Sequence, residues 1–227
     1  VAGGVMTAKD CRFKRCNSTF GGAVGVLGGR VELQQCTLVD CGATFGGGVA
    51  VVTGELGLNS TSTERCIAQA SGGGAWCDNG GTLNARDSTW KHCHAAQGGG
   101  LGIQGFVQLE NSSVQHCRSE GHGGGLQLTA AASGMLRSVK FGKNQAAKGG
   151  GISVEAGSSL SGEHVAITSC TADRGGGLAT LGRSTVQHLT IRSGEAVTIG
   201  GGIALGRAHP HAWLTITDTP LDDAPAQ

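Results

Sequence analysis

A cluster of glycines followed by an apolar alternation, clearest in Gly98-Gly99-Gly100-Leu101-Gly102-Ile103, returns along the whole chain. The last glycines of successive clusters are Gly4, Gly22, Gly48, Gly74, Gly100, Gly125, Gly151, Gly177 and Gly202, at intervals of 18, 26, 26, 26, 25, 26, 26 and 25 residues. Self-similarity at a nearly fixed period of this size marks a solenoid rather than a closed globule. The period constrains the fold far more than it constrains the function.

Two further signals keep a constant offset to the glycines. An apolar residue stands three places before Cys or Asn in Phe13 to Cys16, Leu38 to Cys41, Trp90 to Cys93, Val114 to Cys117, Phe141 to Asn144 and Ile167 to Cys170, while Thr63 precedes Cys66. Earlier in each repeat lies a short Leu- or Val-bearing alternation, as in Val31 to Leu33 and Val107 to Leu109. Three short period-2 runs per repeat, separated by Gly, Ser, Thr and Asn, read as three strands joined by turns. Helical periodicity is absent, and 43 glycines would each cost about 1 kcal/mol inside helices. The fold class expected is all-β, a right-handed parallel β-helix of about nine coils of 25–26 residues, since parallel crossovers are overwhelmingly right-handed. Stacking at about 4.8 Å per coil makes a rod about 40 Å long.

The residue types suit that geometry. Glycine permits positive φ and close approach of neighbouring coils. Leu101 and Ile103, Leu126 and Leu128, and Ile152 and Val154 form apolar columns pointing inward. Cysteine is small and readily buried, and the amide of Asn144 can replace it by satisfying backbone groups of the turn.

The composite Phe141-x-x-Asn144-x-Ala146-x-x-Gly149-Gly150-Gly151-Ile152 resembles the polymorphic outer membrane protein repeat, which couples F-x-x-N to G-G-A-I. The resemblance covers about eight of the nine glycine clusters, with Cys mostly in place of Asn and G-G-G in place of G-G-A. It implies a surface-exposed or secreted right-handed β-helix, often adhesive, and carries no catalytic residues. The expected localisation is therefore extracellular or at the cell surface.

The unbroken repeat argues for one elongated domain over 1–217, followed by a polar, proline-bearing exit over 218–227. Val1 already lies inside a repeat, which reads as a fragment of a longer chain whose further coils cover the open end. A net charge of +1 leaves no electrostatic footprint for nucleic acid. No segment approaches the 18 apolar residues of a membrane span.

Nine cysteines are many for a reducing compartment. Cys16, Cys41, Cys66, Cys93 and Cys117 fall in one column, and Cys11 and Cys36 in another; they read either as inter-coil disulfides or as a ladder of buried thiols. Asn17, Asn59 and Asn111 head N-x-S/T triplets, candidate N-glycosylation sites if the chain is secreted. His92 and His116 each precede a ladder cysteine and read as solvent-facing, two ligands being an incomplete metal site. No cofactor or metal is expected.

Glycosidase chemistry needs convergent carboxylates about 5–9.5 Å apart. On the Gly-rich strand only Asp78 and Glu155 qualify by position, three coils and so about 14 Å apart. The chain is therefore expected not to be an enzyme. The outward residues of that strand, Met6, Val24, Ala50, Trp76, Gln127 and Ser153, suggest instead a flat uncharged face that packs against a protein partner or the rest of the parent chain. Trp76 is also a candidate platform for carbohydrate. The functional expectation is a non-catalytic scaffold or spacer presenting a face for adhesion or assembly; the rival is a non-catalytic portion of a carbohydrate-active β-helix, of polysaccharide lyase or glycoside hydrolase type.

Overall fold

The computed structural model describes residues 3–206 and 213–217, so the exit segment 218–227 lies outside the described residues. Those residues form strands and turns with no helix, wound into a parallel β-solenoid. Eight coils run from Val5 to Ile199, and Ile203–Leu205 with Trp213–Thr217 begin a ninth.

One coil shows how the repeat works. A long strand, Ala75–Arg86, is followed by Thr89–Lys91 and His94–Gln97. Three left-handed bends separate them: Asp87 at φ 51°, His92 at φ 54° and Gly98 at φ 57°. Each strand pairs in parallel with its counterparts in the coils on either side. Leu101 stands level with Leu126 and Leu126 with Ile152, and all three are at most 1% exposed. The predicted inward columns are thus the core.

The three glycines of a cluster serve three different needs. Gly98 takes the left-handed φ of the bend. A Cβ on Gly99 would stand 2.3 Å from the Arg118 carbonyl oxygen and 2.6 Å from that of Gly124, so the backbones of neighbouring coils meet there. A Cβ on Gly100 would stand 2.5 Å from Cγ1 of Val114, inside the core. One level away the same position, Gly74, makes room for Trp90, whose indole fills the column beside the small Thr63.

The other two bends of each coil are built without glycine. Asp10, Gln35, Ser60, Asp87, Asn111, Ser138, His164 and His188 form one file, and Arg15, Asp40, Arg65, His92, His116, Lys143, Ser169 and Ser193 a second, all with φ between 46° and 57°. A non-glycine residue in this region costs on the order of 1–3 kcal/mol. Where the residue after the bend is Cys, Ser, Thr or Asn, its side chain offsets part of that cost by hydrogen bonding. Cys36 Sγ donates to the carbonyls of Gln34 (3.3 Å) and Ala8 (3.5 Å). Ser88 Oγ donates to those of Arg86 (2.8 Å) and Leu58 (3.3 Å). Asn144 does most: its Oδ1 accepts the Cys117 N–H and its Nδ2 donates to the Val114 carbonyl, each at 2.9 Å.

Candidate functional site

The Gly-rich strand does present an outward file, but two of its expected members lie elsewhere. Parallel register places Met6 level with Val31 and Val24 level with Val49, both inward columns. The irregular spacing of the first two glycine clusters displaces these positions, and Gly25 takes the outward place beside Ala50. The file then continues through Trp76, Gly102, Gln127, Ser153, Ala179 and Ala204.

This file is not a flat open face. Ala50, Trp76, Gln127 and Ser153 are 0–6% exposed, because side chains from the end of each coil, just before the left-handed glycine, lean over them. Together they make a crease along the rod. At one end Phe20 stacks on Phe45 with ring centroids 5.6 Å apart, and Phe45 lies 4.8 Å from the Trp76 ring. Trp76 is therefore no open platform for a sugar; Phe20 and Leu27 supply the exposed apolar surface there. In the middle, Gln127 Nε2 donates to Gln97 Oε1 at 3.3 Å, and Ser71 Oγ occupies the space a side chain on Gly102 would need.

Farther along, the crease becomes charged. Glu155 Oε1 takes a close contact from His122 Nδ1 and accepts a hydrogen bond from Ser153 Oγ at 3.2 Å. The His122 contact, helped by Ser153 and Lys148 and opposed by burial, holds the Glu155 carboxyl below its usual range. Asp78 lies in the same file three coils away, as its backbone register requires. The two carboxylates do not converge.

Sequence reasoning missed the outer face of the long strands. The residues just before the first bend of four successive coils, Arg86, Glu110, Arg137 and Glu163, form a file of alternating sign. Arg86 pairs with Glu110 at 2.7 Å and Arg137 with Glu163 at 3.4 Å. Nearby, Arg30 reaches Glu32 at 2.8 Å and Glu55 at 3.8 Å, and Glu55 accepts from Asn84 Nδ2 at 2.9 Å. Two shallow troughs of about 360 and 260 Å³ follow this face and share Gln108 and Glu110. The alternating charge at a fixed offset before each bend was the signal available.

All nine cysteines are free thiols, buried except for the half-buried Cys11 and Cys16. Side chains that leave stacked strands in parallel keep Cβ atoms near the ~4.8 Å strand spacing, wider than the ~3.5–4.5 Å of a disulfide. Burial pushes the Cys77 thiol up to about 12, and it raises Cys66 further; Cys93 is raised first by its neighbour Cys117 and then by burial. These are poor nucleophiles. Asn17, Asn59 and Asn111 are exposed, Asn111 at a left-handed bend. His92 and His116 stack at 4.9 Å, as do His164 and His188 at 4.5 Å. No cluster of three or more His, Cys, Asp or Glu suited to a metal occurs among the described residues.

Comparison with known families agrees with this architecture. The family model described as "Right handed beta helix region" matches residues 55–196, more than half of the chain. No curated protein and no solved structure matches it.

Proposed function

The chain belongs to the right-handed beta helix family, and from that premise we propose that it is a non-catalytic scaffold or spacer at the cell surface or outside the cell, presenting one face for adhesion or assembly. The observation that carries the reading is the unbroken file of coils. From Val5 to Ile199 each coil pairs with the next, with no inserted loop that builds a pocket on the rod. Glycoside hydrolysis needs convergent acids, whereas Glu32, Glu110 and Glu163 are engaged by arginines and Glu155 by His122, and Asp78 stands three coils from Glu155. The partner surface in this reading is the aromatic end of the crease, where Phe20 (37%) stands exposed against Phe45 and Leu27 (53%) is exposed two residues along the strand from Gly25.

The test joins location to chemistry. Brief protease treatment of intact source cells should remove the protein's epitopes, and the purified chain should leave acidic polysaccharides uncut. Protection inside intact cells contradicts the location, and sustained cleavage contradicts the scaffold reading. A second reading, a portion of a carbohydrate-active β-helix, draws support from the polar trough lined by Glu32, Glu55, Asn84 and Glu110; oligosaccharide protection of that face from carboxyl-modifying reagents would favour it.

A further inference from the structure

The crease changes character once more after Glu155. His122, Lys148 and Arg174 form a file of basic residues, each level with the next across parallel bridges. Opposite them, Glu155 is followed one coil later by Leu181, since the N–H of Glu155 pairs with the Leu128 carbonyl and that of Leu181 with the Val154 carbonyl. His122 and Ser153 already engage Glu155. Lys148 lies close enough to help stabilise the Glu155 carboxylate, and Arg174 forms no ion pair among the described residues. Lys148, Arg174, Glu155 and Ser153 line a cavity of about 100 Å³ together with Leu181, Ile199, Ala204 and Leu205. Two cations and one carboxylate thus line a small hollow whose remaining walls are mainly apolar.

We propose that this cavity binds a small aliphatic monocarboxylate, its carboxylate held between Lys148 and Arg174 and its stem resting on Leu181, Ile199 and Ala204. An apolar cavity of about 150 Å³ accommodates benzene, so the present volume suits a stem of about four carbons. The site lies well below the several hundred Å³ of a pocket for larger ligands. Arginine offers a carboxylate two parallel donors, and lysine adds a compact charge. Glu155 lines the same cavity, and its charge opposes a dianion more strongly than a monoanion, which disfavours phosphate relative to a monocarboxylate. A cation meets Lys148 and Arg174 and is repelled. The proposal stands apart from the scaffold reading, because it concerns the far end of the crease and holds whether or not the aromatic end meets a partner.

Butyrate titrated into the full chain, followed by calorimetry and saturation-transfer NMR, tests it. The expected result is saturable one-to-one binding with Kd on the order of 1–10 mM. Acetate, two methylenes shorter, should bind more weakly by about fourfold per methylene, and butylammonium and inorganic phosphate should not compete. Arg174→Gln and Lys148→Gln should each weaken butyrate at least about tenfold, Arg137→Gln should leave it unchanged, and Ala204→Leu should abolish it by filling the floor. Circular dichroism of each variant confirms that the coils persist. The proposal is overturned if butyrate does not saturate, if butylammonium binds equally well, or if folded Arg174→Gln and Lys148→Gln proteins both bind as the parent does.

Discussion

Asn144 and the ladder cysteines do one job with different strength. Each follows a left-handed, non-glycine bend; the cysteines donate to the carbonyl two residues back, whereas the Asn144 amide serves the preceding coil, accepting the Cys117 N–H and donating to the Val114 carbonyl. Asn144→Ala strands both groups in a site that is fully buried, and should destabilise the chain by about 2–4 kcal/mol. Asn144→Cys should lose less, since the thiol restores a weak donor; urea unfolding of the two variants ranks them. The bends themselves give a second prediction. Ser138 sits at φ 53°, so Ser138→Gly should be near neutral and Ser138→Val should cost about 1–3 kcal/mol. The cysteine column was legible in the sequence because a small buried residue must recur at one offset. The bends were not, because Arg, Asp, His, Lys and Ser all occur there and their polarity reads only as exposure.

At the scale of the element, the Gly-rich strand and the strand that closes each coil act as two walls of one crease. Parallel register aligns Ala50, Trp76, Gln127 and Ser153 in one file, yet sequence periodicity could not show that the second wall folds over it. That depends on the hand of the left-handed glycine bend, not on the residues of the file. Two titrations follow from this packing and its edges. His116 is held below the ordinary histidine value first by burial and then by His92, Lys143 and Lys91, so the unfolded chain takes up a proton before the folded one. Stability is full above pH ~6.5 and falls as pH drops through that value. Glu155 is likewise depressed, so its contribution is present above pH ~4.3 and is lost as pH falls toward its folded value. Thermal melts should show both steps; His116→Asn should remove the first and Glu155→Gln the second. Thiol burial is also read at this scale. A disulfide reagent on native protein should modify Cys11 and Cys16 first, with Cys36, Cys41, Cys66, Cys77, Cys93, Cys117 and Cys170 reacting only on unfolding.

For the whole molecule, the glycine period determined the architecture because every coil must repeat the same close approach to its neighbours. Gly99→Ala, which drives a methyl group into two backbone carbonyls, should therefore cost more than about 3 kcal/mol and loosen the coils on both sides. The charged outer face escaped notice for the converse reason: its residues vary in type and only their alternation across coils carries information. The stacking of coils in register is the claim on which the crease, the core files and the carboxylate site all depend. Lys9, Glu110, Arg137, Glu163 and Gln187 belong to one outward file, with Lys9 four, five, six and seven coils from the others in turn. Pulsed electron-electron resonance between a genetically encoded spin label at Lys9 and one at each of the other four positions measures the stack directly. The separations should rise in equal steps of about 4.8 Å, from about 19 to about 34 Å; distances that fail to increase with coil number would contradict the solenoid.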